Sequence, residues 1–189
     1  MTQELIIDLK ANGQDFEWYP TTQDMISTVA GKLLNLYGDG FSLLDIGAGD
    51  GRVLKGISDA HKHRREGRGE EVAGGCRFQY AIEKSPILIQ AMPDDVTIVG
   101  TDFMQQTLID KKVDVIFCNP PYSAFEEWAV RIIKEANCRD IFLIIPQRWK
   151  DSGRIADALG KRKATAKVLR SADFSDAERQ ARAKVDIIH

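Results

Sequence analysis

Apolar runs of strand length recur along the chain at Phe41–Gly47, Phe78–Glu83, Val96–Thr101, Val113–Cys118, Ile141–Pro146, Thr165–Leu169 and from Val185 to the terminus. Between several of them the apolar residues return every three or four positions, which predicts helices over Thr22–Tyr37, Arg52 to about Arg65, Pro86–Met92, Ala124–Ala136 and Gly153–Leu159. In the first, Met25, Val29, Leu33 and Leu36 share a face, and Thr21 or Thr22 is placed to cap it. Strands alternating with helices are the mark of an α/β protein with a largely parallel sheet, here of seven strands. One interval breaks the rhythm. Ala60–Gly75 (AHKHRREGRGEEVAGG) is polar and glycine-rich and is expected to form a surface insertion.

A length of 189 residues with 43% hydrophobic and 29% charged positions fits a single folded domain over residues 1–189 and excludes both a disordered chain and two catalytic domains. The net charge of −2 exerts no global pull toward nucleic acid or anionic lipid. Ile141–Ile145, the longest strongly apolar run, is far short of a membrane span, and Met1–Lys10 lacks a secretory pattern. A cytoplasmic protein without membrane partners is expected. Cys76, Cys118 and Cys138 show no metal-ligand spacing and read as core thiols, with no metal site. The chain ends at His189 within a strand-like run, so further chain is expected to follow in the parent protein.

The segment Leu43–Arg52 (LLDIGAGDGR) reads as a buried strand, a glycine turn and a helix start, where missing Cβ atoms let a ligand approach the backbone. A dinucleotide fingerprint would need glycine at position 52, which is Arg52. Acids follow successive strands: Asp45 and Asp50 around the first, Glu83 after the second, Asp102 after the third. Such a site repels polyphosphates and suits a ligand carrying a sulfonium, an ammonium and ribose hydroxyls, as S-adenosyl-L-methionine does.

On these residues the chain resembles the class I S-adenosylmethionine-dependent methyltransferases, whose first motif looks like DIGAGDG here. The resemblance implies a Rossmann-like, seven-stranded, mostly parallel sheet with helices on both faces. It implies that Asp45, Gly47, Gly49 and Asp50 lie against the methionine part of the cofactor. It places Glu83, with Lys84 beside it, at the ribose hydroxyls, Asp102 at the adenine amino group and Phe103 against the adenine ring. Phe16–Thr21 (FEWYPT) resembles the family's N-terminal tenth motif, with Tyr19–Thr22, and Tyr19 and Thr21 among them, contacting the cofactor's methionine end. The 34 positions from Gly49 to Glu83 exceed the usual spacing, by the Ala60–Gly75 interval.

After the fourth strand come Asn119, Pro120, Pro121 and Tyr122. Two prolines stiffen a loop and leave carbonyls free as acceptors. A planar NH₂ is a poor nucleophile because its lone pair is delocalised. Two acceptors gripping its hydrogens favour a pyramidal, reactive nitrogen, and Asn119 Oδ1 with the Pro120 carbonyl can supply them. Tyr122 would stack on the planar target. N-P-P-Y resembles the fourth motif of amino-methyltransferases acting on adenine N6, cytosine N4, guanine N2 or glutamine amides, in which Asn119 also borders the cofactor.

The order of motifs, tenth then first then fourth, looks like the gamma group of DNA amino-methyltransferases, whose recognition domain follows the catalytic one. Gln147–Arg170 holds eight basic residues against two acidic ones, which suits a phosphate backbone, and Arg148, Trp149, Lys150, Lys161, Arg162 and Lys163 are the expected nucleic-acid contacts. His61–Arg68 reads as part of the solvated insertion rather than a second contact. The leading expectation is adenine-N6 methylation of DNA with the base flipped into the N-P-P-Y pocket. The alternatives are guanine N2 in rRNA, a protein glutamine amide, or a non-catalytic subunit of a nucleic-acid-modifying complex. A nicotinamide-dependent oxidoreductase is a more distant one.

Overall fold

A computed structural model describes residues 2–38, 40–66, 75–174 and 181–189, with side chains omitted at 63–66, 174 and 181–183. Seven strands form one sheet in the order β3-β2-β1-β4-β5-β7-β6. They are β1 (Phe41–Ile46), β2 (Cys76–Ile82), β3 (Val96–Gly100), β4 (Val115–Cys118), β5 (Asp140–Pro146), β6 (Val168–Phe174) and β7 (Ala181–Ile188). The first five run parallel, and β7 lies antiparallel to both β5 and β6.

Side chains alternate across the central strands. Leu43, Val115 and Phe117 pack beneath α2 (Gln23–Leu36) and α3 (Arg52–Glu66). Leu44, Ile116 and Cys118 face the other way, toward α5 (Phe125–Glu135) and α6 (Gly153–Arg162). Parallel strands covered on both faces must be apolar at nearly every position, and β4 is buried along its whole length. Caps set where the helices begin. Thr22 starts α2, Ser85 with Pro86 starts α4 (Pro86–Gln90), and Ser152 starts α6 by accepting from Ile155 N at 3.1 Å.

Several elements depart from the sequence reading, among them β7, which begins at Ala181 rather than Val185, and β6, which begins at Val168 rather than Thr165. α1 (Thr2–Ala11) was not expected; among its residues only Leu9 is buried, so its apolar stripe is too thin to register as a period. β6 runs to Phe174 rather than ending at Leu169, because its polar residues Arg170, Ser171 and Asp173 are held by pairing with β7 and not by burial. Ala60–Gly75 is not a surface loop throughout. α3 continues to Glu66, and His61 is 4% exposed, with Nδ1 3.0 Å from the Ile57 carbonyl and its ring packed on Phe41. Residues 67–74 lie outside the described residues.

β1 pairs with β2 on one side and β4 on the other, so the strand order reverses beside it. At such a switch point the loops leaving two neighbouring strands diverge and open a crevice at their carboxyl ends. Ile46 is level with Cys118, which sets the glycine turn directly beside Asn119.

Candidate functional site

Between β1 and α3 the chain turns through Gly47, Gly49 and Gly51, all in left-handed conformations. Gly49 needs glycine twice over: its φ is +60°, and a Cβ there would come within 2.3 Å of Trp18 Nε1. Gly47 N and Ala48 N donate to the Ile82 carbonyl at 2.8 and 3.2 Å, and Gly49 N donates to Glu83 Oε2 at 2.7 Å. The turn is thus tied to the end of β2.

Besides Asp15 and Glu17, four acids at the ends of the strands border the cleft, each held differently. Asp45 is 1% exposed, and neither carboxylate oxygen has a hydrogen-bond partner among the described residues. Burial, then the charges of Glu83 and Asp50, push its carboxyl well above the ordinary range. Glu83 is also buried, and that raises its pKa despite N–H donors from Ser85, Gly49 and Lys84. Its second oxygen takes the Ser85 N–H at 2.8 Å, so it joins the glycine turn to the cap of α4. Asp50 is gripped by Arg52, with Nη2 2.7 Å from Oδ2 and Nε 2.9 Å from Oδ1. Asp102 caps the 3-10 turn Phe103–Gln105 by accepting from Met104 N at 2.9 Å, and Lys84 Nζ lies 3.2 Å from it.

Phe103 is 2% exposed, tilted against Trp128 with ring centroids 4.7 Å apart, and borders the cleft together with it. Trp128 was missed in the sequence. The signal was an aromatic in the first turn of the helix after N-P-P-Y, which the helical pattern alone assigns to packing.

From β4 the chain enters Asn119-Pro120-Pro121-Tyr122. Asn119 Nδ2 donates to the Tyr19 carbonyl (3.1 Å) and Thr21 Oγ1 (3.2 Å). A carbonyl only accepts, so the amide orientation is fixed by chemistry and Oδ1 remains as an acceptor. The Pro121 carbonyl is spent on Ala124 N at 3.1 Å, whereas that of Pro120 has no such bond among the described residues. Asn119 and Pro121 border the cleft; Pro120 is buried. Tyr122 lies elsewhere than expected. Its ring meets Tyr19 edge-on, with centroids 5.5 Å apart at 81°, half-buried against the core that α2 covers, and burial pushes its hydroxyl pKa up. It is not among the cleft residues.

Asp15–Tyr19 crosses the cleft as a strap. Phe16 and Glu17 both adopt left-handed φ values, 40° and 55°, unusual for non-glycine residues. Glu17 Oε2 accepts from Ser123 N at 3.0 Å, fastening the strap to the N-P-P-Y loop. Trp18 covers Gly49 and lies under Arg52, 5.6 Å from the guanidinium carbon. The strap therefore covers the glycine turn on the side where the sequence reading placed the methionine part of a cofactor.

The six expected nucleic-acid contacts do not form one surface. Arg148 reaches the Tyr122 carbonyl at 3.3 Å and lies over Phe125. Trp149 Nε1 (3.1 Å) and Lys150 Nζ (2.7 Å) are both engaged by the fully buried Asp186. Lys161, Arg162 and Lys163 sit at the far end of α6, where Arg162 donates to the Ala136 carbonyl at 2.7 Å, near the start of β5. A helix returning antiparallel to the strands carries its last turn about 15 Å to the opposite edge of the sheet. Arg154 and Arg170, counted in the same basic stretch, pair with Glu126 and Asp24. Charge tallied along the sequence misses these partners from other elements. Among the described residues, no group of three His, Cys, Asp or Glu is arranged to hold a metal ion, and no helix is long and apolar enough to cross a membrane.

No protein-family model and no curated protein matches the chain. Solved structures do. A candidate RNA methyltransferase from Pyrococcus horikoshii superposes with a TM-score of 0.64 at 15% identity, over 92% of this chain and 84% of that one. A candidate class I S-adenosylmethionine-dependent methyltransferase from Listeria monocytogenes gives 0.63 at 14% identity, over 99% and 65%. The E. cuniculi Mtq2-Trm112 complex, responsible for methylation of the termination factor eRF1, gives 0.58 at 14%, over 91% and 96%. Strand order, the antiparallel seventh strand and these superpositions agree: the chain has the class I methyltransferase fold.

Proposed function

We propose that this protein transfers a methyl group from S-adenosylmethionine to a planar amino nitrogen, with adenine N6 in DNA as the acceptor. The observation that carries this reading is Asn119. Both of its amide hydrogens are committed to Tyr19 and Thr21, which leaves a carbonyl-type acceptor, Oδ1, on a residue that borders the cleft.

The residues present fit the cofactor. The orphaned carboxylate of Asp45, crowded by Glu83 and Asp50, calls for a cation or a hydroxyl donor, and the ligand has both. Asp45 and the glycine turn would hold its amino-acid end, Glu83 its ribose, and Asp102, Phe103 and Trp128 its adenine. When bound, it supplies an electrophilic methyl group on a sulfonium.

The chain's own part is to grip and orient the acceptor amine. Asn119 Oδ1 and the Pro120 carbonyl would take its two hydrogens and localise the lone pair on nitrogen. As the N–C bond forms, the methyl–sulfur bond would break to leave a neutral thioether, and the nitrogen gives its surplus proton to solvent. Such positioning, with acceptors fixed before reaction, supplies rate without a covalent enzyme intermediate. Asn119→Ala is expected to cut transfer by about 100-fold or more, with a much smaller loss of cofactor affinity measured by calorimetry. Near-normal turnover in this variant would remove the amine-gripping role.

The pairing of Lys150, Arg154 and Arg170 with acids of other elements favours a second reading, a glutamine amide in a protein. An amide carries the same planar NH₂ and asks for no phosphate-binding track.

A further inference from the structure

Trp128, Arg131 and Glu135 fall three and four residues apart on α5 and so share one edge of that helix. That edge faces the segment after β3. Arg131 Nη1 donates to the carbonyls of Phe103 (3.2 Å) and Met104 (2.8 Å), Nη2 donates to that of Gln106, and the guanidinium lies over the Phe103 ring at 5.1 Å. Its Nε donates to Glu135 Oε1 at 3.0 Å, while Glu135 Oε2 accepts from Leu108 N at 3.4 Å. Two side chains one helical turn apart thus fasten the backbone at residues 103, 104, 106 and 108.

A 3-10 turn of three residues has no cooperativity of its own and leaves carbonyls without partners. A guanidinium presents a rigid planar fan of donors that spans several carbonyls, which a lysine ammonium cannot reproduce. Asp102 caps this same turn, and Phe103 packs against Trp128. Arg131 does not border the cleft; it touches Phe103, which does.

We infer that Arg131, kept in place by Glu135, is a positioning residue that sets the placement of Asp102 and Phe103 and thereby the preference of the site for adenine over other purines. The inference rests on the adenosyl end of the cofactor lying there, as proposed above.

Calorimetric titration with S-adenosylhomocysteine and with its inosine counterpart, in which the adenine amino group is replaced by oxygen, tests it. The unmodified protein should prefer the adenosyl compound. Arg131→Met should lose about tenfold in affinity for it, and most of the preference, while the inosyl affinity changes little. Arg131→Lys and Glu135→Gln retain the bulk of the packing and should show smaller losses in the same order, so the test survives if Arg131→Met folds poorly. A merely structural defect would lower both affinities together and leave the preference intact, and that result would overturn the inference. Full preference in all three variants would overturn it too. Failure of the unmodified protein to bind S-adenosylhomocysteine would instead remove the cofactor reading.

Discussion

Among the described residues Asp45 is a buried carboxyl with neither oxygen hydrogen-bonded, and its energetics follow from that. Burial and two neighbouring acids raise its carboxyl above the ordinary value of 3.8, so above that pH the folded protein holds a proton that the unfolded chain releases. Folding stability contributed by the protonated group is therefore lost as pH rises from about 4 toward the raised pKa. Asp45→Asn keeps the shape and removes the charge. In the ligand-free protein it should raise the melting temperature at neutral pH, by about 2–4 °C for each kcal/mol recovered, and flatten the decline above about pH 4. The same change should weaken S-adenosylhomocysteine binding. A residue that costs stability and supplies affinity is a ligand residue; an Asn variant both less stable and equally tight would show that Asp45 is satisfied within the protein. The acid itself was legible in the sequence because it precedes a glycine turn. That it stands without a partner was not, since this depends on which donors β2 and β4 bring alongside.

The strap Asp15–Tyr19 is the element that lies over the glycine turn. Trp18 rests on Gly49, and Trp128 lines the same cleft, so two of the three tryptophans report on it. Binding of S-adenosylhomocysteine should move Trp18 off the glycine turn and change tryptophan emission, and Trp18→Phe should abolish most of that response. An undiminished change in Trp18→Phe would assign the signal to Trp128 and leave the strap in place. The sequence marked FEWYPT as an element of interest but did not foretell its path. Two consecutive left-handed residues that are neither glycine nor asparagine leave no compositional trace; Glu17 is held by the Ser123 N–H, 106 positions away. Tyr122 failed for a related reason, because its neighbour Tyr19 comes from that strap. By contrast β1, β4 and β5 were read to within two residues, since strands buried on both faces are apolar at most positions.

At the scale of the whole molecule, the basic stretch Gln147–Arg170 is divided by the fold. Lys150, Arg154 and Arg170 meet acids from other elements, and Lys161–Lys163 lie at the opposite edge of the sheet from the cleft. DNA binding should then depend weakly on salt, with a slope of log affinity against log salt near about −2 rather than the steep value expected if all eight basic residues met phosphates. Replacing Lys161, Arg162 and Lys163 together by alanine should leave that slope unchanged, while Arg148→Ala should reduce it. A steep slope that collapses in the triple variant would place the nucleic-acid surface on the far edge. The measurement that bears most directly on the proposed activity is mass spectrometry of the nucleosides from unmethylated double-stranded DNA incubated with the protein and labelled S-adenosylmethionine. Labelled N6-methyladenine is expected, absent when Asn119→Ala replaces the unmodified protein. Unmodified DNA bases, with label recovered instead in RNA or in a protein glutamine, would contradict the proposed acceptor.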